Sequence, residues 1–192
     1  MHRRAMVGAA LIVCVLNPSG RLLAAEEQVR RDSTISPGRD EFLGRFLDYY
    51  VGWAGKIEER GQSTGTPLDP EQTRLALEIG IKHPERVRLV FVDEVPFPTD
   101  NPEIKLAGEK FGFIGPGITN NAQAFGYSVW IRNGFSLDRP RLAHELVHVM
   151  QIERSTGFAA YARQYVSELL QYGHEKSPLE LEAYEANRRY AD

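Results

Sequence analysis

The stretch His144-Glu145-Leu146-Val147-His148 constrains this chain more than any other. It lies in a helical pattern, and on a helix residues four apart share a face. At ~100° per residue, His144, His148 and Gln151 fall in one narrow stripe. Leu142, Leu146, Val149 and Met150 lie on the opposite side and can anchor the helix in a core. Two imidazoles on one face can bind a single metal ion. Glu145 stands about a quarter-turn from His144, close enough to reach a water on that metal without ligating it. A zinc hydrolase needs this arrangement: two neutral nitrogens on the metal, a carboxylate to take the water's proton, and an open coordination position. His144 and His148 are therefore candidate Zn²⁺ ligands, and Glu145 is the candidate catalytic base.

The start of the chain reads as a leader. Met1-His2-Arg3-Arg4 is basic, residues 5–16 are a short apolar run, and Leu23-Ala24-Ala25 offers small residues before Glu26. That is the pattern of a secretory signal peptide over 1–25, with an apolar run too short for a comfortable membrane span. A retained N-terminal anchor is the alternative. Cleavage leaves 167 of the 192 residues, enough for one domain, and removes Cys14, the only cysteine. The mature chain then has no thiol with which to form a disulfide, even in an oxidising compartment. Losing Arg3, Arg4 and Arg21 takes the basic residues from 23 to 20 against 26 acidic ones, a net charge of −6. That balance argues against nucleic acid as a partner. The expectation is an exported protein, periplasmic or secreted, with no stable membrane insertion after cleavage.

Residues 26–39 are charged and polar and read as a linker or loose N-terminus, with one domain over 40–192. Phe42, Leu43, Phe46, Leu47, Tyr50, Val51, Ala54 and Ile57 repeat at helical spacing and predict a long helix from about Asp40 to Arg60. After a loop over Gly61 to Pro67, Asp69 and Pro70 open a second helix ending near Lys82, ahead of Pro84. Arg86 to Asp93 and Ala124 to Arg132 read as strands, with a third, shorter one at Phe111 to Ile114. The prolines at 96, 98 and 102 mark 94–110 as a loop. The His144 helix runs from about Asp138 to Ser155. Two more follow, Phe158 to Tyr172 closed by Gly173, and Pro178 to about Tyr190. The order predicts an α+β domain, mainly helical, with a small sheet preceding the His144 helix. A strand there could present an edge on which an extended peptide adds by main-chain hydrogen bonds.

A catalytic zinc usually takes three protein ligands. Arg154 stands where metzincin proteases place a third histidine, so that solution is excluded. His174, in a loop, is a minor candidate. The last helix offers Glu180, Glu182 and Glu185. Its buried stripe is Leu179, Ala183, Ala186 and Tyr190; Glu185 points about 140° from it and should be solvated, while Glu180 and Glu182 each flank it at about 80°. Helical geometry leaves those two open. Ser177-Pro178-Leu179-Glu180 reads as a capping box, which would occupy Glu180 with the Ser177 backbone N–H. The segment from His144 to Gln151, followed by Pro178-Leu179-Glu180-Leu181-Glu182-Ala183, resembles the gluzincin zinc peptidases. It looks most like a small bacterial HExxHxxQ subgroup with a downstream P-x-E-x-E-A segment. The resemblance spans roughly Gly117 to Tyr190. It implies a zincin-like fold, Zn²⁺, a peptide or protein substrate, and Glu182 of the Glu182-Ala183 pair as third ligand. Tyr127, Tyr172, Tyr184 and His174 are candidates for a second oxyanion donor. A non-catalytic zinc-stabilised binding module and a cell-wall amidase are the rival readings. If 1–25 is a leader, mass spectrometry of protein exported by its native host finds a mature N-terminus near Glu26; an intact Met1 on membrane-bound protein favours the anchor.

Overall fold

The computed structural model describes Cys14–Val15, 37–110 and 113–191. Its elements in chain order are β1 (Cys14–Val15), α1 (Pro37–Thr64), β2 (Thr66–Pro67), α2 (Pro70–Ile79), β3 (Arg88–Val92), α3 (Pro102–Lys110), β4 (Ile118–Thr119), β5 (Ala122–Phe125), β6 (Ser128–Arg132), α4 (Arg139–Arg154), α5 (Phe158–Tyr172) and α6 (Pro178–Arg189). The fold is α+β and mainly helical, as the pattern of elements requires. Of residues 1–25 only β1 is described, paired antiparallel with β4. The rest of 1–25, expected as a leader, and 26–36 lie outside the described residues. No helix among the described residues is long and apolar enough to cross a membrane.

Four strands form the main sheet, in the order β2-β3-β6-β5. The central pair, β3 and β6, is parallel, and both outer pairings are antiparallel. The segment Ala124 to Arg132, expected as one strand, is the greater part of a hairpin, turned at Gly126 and Tyr127. Both faces of this hairpin are covered, so apolar residues run through it without the alternation that would expose the turn. Gly126 has φ of +60°, and a Cβ there would lie 2.1 Å from the Glu58 carboxylate of α1. That carboxylate accepts the Tyr127 N–H at 3.0 Å, tying the turn to the helix.

Other expectations change: α1 runs on to Thr64, into the segment expected as a loop from Gly61. The segment 94–110 is not all loop: α3 starts at the last of its prolines, Pro102, with Asn101 Oδ1 accepting the N–H groups of Glu103 and Ile104. Helix α2 stops at Ile79, short of Lys82, because Gly80 adopts the left-handed conformation and closes the helix. Of the expected strand at Phe111 to Ile114, residues 111–112 lie outside the described residues and Phe113 and Ile114 are not in a strand; the short strand follows at Ile118.

Helix α1 lies across the sheet and against α5. Its inner stripe is Phe46, Leu47, Tyr50, Ala54 and Ile57, all buried. Gln123 Nε2 donates to Tyr50 Oη at 2.7 Å, and Trp53 meets Phe125 edge to face. Helix α4 packs against β5, α2 and above all α6. It is buried almost all round, from Leu142 to Val149 without a break. Its two ends are held by Asp138, whose carboxylate accepts the Arg141 N–H, and by Ser155.

The glycines of α1 separate two effects. A Cβ at Gly61 would meet the Ser128 Cβ at 2.4 Å, whereas at Gly52 and Gly55 it would meet nothing within 4 Å. Gly61→Ala should therefore destabilise by roughly 1–3 kcal/mol, the usual range for overpacking. Gly52→Ala and Gly55→Ala should stabilise by roughly 0.5–1 kcal/mol each through helix propensity. Thermal unfolding that moved all three the same way would contradict the close approach of α1 to β6.

Candidate metal centre

The stripe of His144, His148 and Gln151 is buried completely. The His144 and His148 Nε2 atoms stand 3.2 Å apart, with rings nearly perpendicular. From α6, Glu180 brings Oε2 to 3.5 Å from His144 Nε2 and Oε1 to 3.6 Å from His148 Nε2. With metal bonds of ~2.0–2.1 Å, tetrahedral donors stand roughly 3.3–3.4 Å apart. The three donors, within 4.8 Å of one another, have the spacing of a set that could hold one metal ion.

The hydrogen bonds behind the rings decide which way their lone pairs point. Gln151 Nε2 donates to Leu179 O and to Glu182 Oε2, so Gln151 Oε1 faces His148 Nδ1, at 2.9 Å. Asn187 Nδ2 donates to Pro140 O, so its Oδ1 faces His144 Nδ1, also at 2.9 Å. An amide oxygen accepts and cannot donate, so both histidines carry their proton on Nδ1. Both Nε2 lone pairs then point inward, at each other and at a carboxylate. One proton in that space satisfies one pair of acceptors and leaves the rest opposed, whereas a metal cation satisfies all three at once.

Electrostatics state the same demand. Burial lowers His148 to about 4, keeping it neutral near pH 7. Burial pulls His144 the same way, but the Glu180 and Glu145 carboxylates outweigh it and raise it. Burial raises Glu145 to about 8. Both Glu145 oxygens are inaccessible to solvent and have no hydrogen-bond partner among the described residues.

Glu182, the expected third ligand, is engaged elsewhere: Arg154 holds both its oxygens, at 2.6 and 2.5 Å, and Gln151 donates to one. The carboxylate that joins the histidines is Glu180. The capping-box reading misled because it reserved Glu180 for the helix start. That work falls to Glu168 of α5, whose Oε2 accepts the Leu179 N–H and the Ser177 hydroxyl, each at 3.0 Å. Ser177 makes no side-chain cap bond. Glu180 is left to accept from Tyr165 Oη at 2.6 Å and to face the imidazoles. Glu185 is exposed, as expected.

Of the four candidates for a second oxyanion donor, two flank the cluster. His174 Nε2 lies 3.6 Å from Glu180 Oε1, and Tyr184 shares a hydrogen bond with His174 Nδ1 and packs on the His144 ring. Tyr127 is bonded to Glu153, and Tyr172 is exposed. Asn187, Tyr161 and Tyr165 escaped the sequence reading. Asn187 stands seven residues after Glu180, two turns along one helix face, which was a usable signal. Tyr161 and Tyr165 have core spacing, and nothing local distinguishes a core tyrosine from one whose hydroxyl serves a site.

The chain matches no family model, no curated protein and no solved structure. The reading of the site rests on its own geometry.

If these three donors hold a metal, His144→Ala, His148→Ala and Glu180→Ala should each abolish stoichiometric metal on elemental analysis of the purified chain. Glu182→Ala should keep it with weaker affinity. Retention should also fall on acidification, because a proton on either Nε2 removes that ligand. Full retention in Glu180→Ala with loss in Glu182→Ala would return the ligand role to Glu182.

Proposed function

We propose that this chain is a zinc-dependent hydrolase of peptide bonds, with His144, His148 and Glu180 as ligands and Glu145 as general base. The observation that carries the reading is the buried, unpartnered Glu145 carboxylate, next in the chain to His144 and within electrostatic reach of His144 and Glu180. A buried polar group without partners costs on the order of 1–3 kcal/mol, and more when charged. A metal site that serves stability alone has no use for it. Two imidazoles and one carboxylate are the protein donor set of catalytic rather than structural zinc sites.

Zinc bound there supplies a Lewis acid that polarises a carbonyl and makes water a nucleophile near neutral pH. The chain's own residues do the rest. Asn187 and Gln151 hold the imidazoles with their lone pairs inward. Glu145, on the same helix as both histidines, takes the proton from the attacking water and returns it to the departing amine. A divalent cation beside it draws its raised pKa back down, towards the value a base working near pH 7 needs. His174 and Tyr184, beside Glu180, offer donors to the developing oxyanion.

A second reading has its own support. His144, His148, Glu145 and Glu180 are all 0 % exposed. The ≈ 390 Å³ surface cavity is lined by residues between Glu94 and Arg132 and by none of these four. That burial favours a metal that holds α4 to α6 and acts on nothing.

Glu145→Gln separates the two. With the amide unable to take a proton, cleavage of a peptide library should fall by roughly 10²–10⁴-fold while metal content stays whole. Cleavage at the wild-type rate would remove Glu145 as base. A metal-loaded wild type that cleaves nothing in a broad library, yet gains thermal stability from the metal, would establish the second reading.

A further inference from the structure

One polar chain runs from the buried centre to the surface, and beyond Gln151 the chemistry above does not use it. It begins at His148 Nδ1, passes through Gln151 and Glu182, and ends at Arg154. Gln151 is wholly buried, while the side chains of Glu182 and Arg154 are 36 % and 49 % exposed. Each link permits one direction only. Arg154 is purely a donor, and both oxygens of Glu182 accept from it. Glu182 Oε2 and Leu179 O therefore take the two N–H bonds of the Gln151 amide, at 2.9 Å each. Flipping that amide would set its oxygen against a carboxylate and a carbonyl and its N–H groups against His148 Nδ1–H. The alternative amide orientation is thereby excluded, and with it the alternative tautomer of His148.

Gln151 also spans two elements. It is one turn along α4 from His148, and Leu179, whose carbonyl it holds, is the residue before Glu180 on α6. The same side chain therefore orients one imidazole and spaces it from the carboxylate across the helix pair. His144 has a shorter arrangement: Asn187 carries its Nδ1–H to a backbone carbonyl, and the chain of bonds ends there.

We infer that Gln151, clamped by the Arg154–Glu182 ion pair, is a positioning residue that fixes the Nδ1–H tautomer of His148 and the spacing between His148 and Glu180. Glu182 thus serves the centre through Gln151, not as a ligand. The inference rests on the metal-centre reading for its effect on metal, but its effect on the tautomer stands without any metal.

Two measurements test it, both on the full chain. The first is ¹⁵N NMR of the His148 ring in protein stripped of metal. In the wild type Nδ1 carries the proton and Nε2 does not. Gln151→Met keeps the volume and removes every bond, and His148 should become a tautomer mixture. The second is the rate at which Zn²⁺ passes to a chelating dye. Gln151→Met should raise it by about 10–100-fold, the usual effect of losing a hydrogen-bond partner behind a metal-bound histidine. Arg154→Met removes only the half-exposed end of the chain and leaves the core intact. It should raise the rate severalfold and flatten its dependence on salt, since the wild-type ion pair is screened. An unchanged His148 tautomer in Gln151→Met overturns the inference. So do zinc-transfer rates within twofold of wild type in both variants. Should the wild type bind no zinc, the metal-centre reading fails, and the tautomer measurement still decides the role of Gln151.

Discussion

Three acceptors pointing into one dry space organise this molecule. His144 Nε2, His148 Nε2 and the Glu180 carboxylate meet at 3.2 to 3.6 Å, all fully buried. In water such groups would each hold a hydrogen-bond donor. Here the hydrogen bonds behind the rings commit both protons to the outer nitrogens, so both imidazoles turn lone pairs towards Glu180, which itself accepts from Tyr165 Oη. The fold therefore carries a local electrostatic cost that a bound cation would reverse. A metal here would add stability as well as chemistry, since a ligand that binds only the folded state stabilises it.

The rest of the fold keeps that arrangement rigid. Helix α4 is enclosed by β5, α2 and α6, which is why its polar stripe is as buried as its apolar one. Gln123, Phe125, Ser128 and Trp130 alternate towards α1, where their bonds and ring contacts lie; Ala122, Ala124, Val129 and Ile131 take the opposite face. Helix α5 supplies groups that neither ligand helix carries. Tyr161 lies 3.2 Å from His148 Nδ1, Tyr165 donates to Glu180, and Glu168 secures the first turn of α6. Helix pairs held by directed polar bonds as well as apolar packing have little freedom to slide, and ligand geometry of this kind tolerates little sliding.

Much of this was legible in the chain itself. A His pair four residues apart, a glutamate after the first, and an apolar back face need only helical periodicity to be read, and α4 places them as that periodicity requires. The boundaries of α4, α5 and α6 followed from Asp138, Gly173 and Pro178, because caps and fixed φ angles act within a few residues. The Gly126 hairpin and α3 were not legible. The hairpin is covered on both faces and shows no alternation. Helix α3 begins at the third of three closely spaced prolines, and its start depends on the Asn101 side chain.

The choice between Glu180 and Glu182 shows where sequence stops. Both flank the buried stripe of α6 at equal angles, so periodicity cannot separate them, and the local capping rule favoured the one that the fold sets apart from the histidines. Residues distant in the chain settled it: Glu168 took over the helix start, freeing Glu180, and Arg154 captured Glu182. Sequence by itself determined the placing of His144, Glu145 and His148 on one helix and the helices around them, since those depend on contacts within one or two turns. Only the tertiary structure decided the third carboxylate, the tautomers and the burial of the centre, because each depends on which side chains meet across helices that the chain order alone does not bring together.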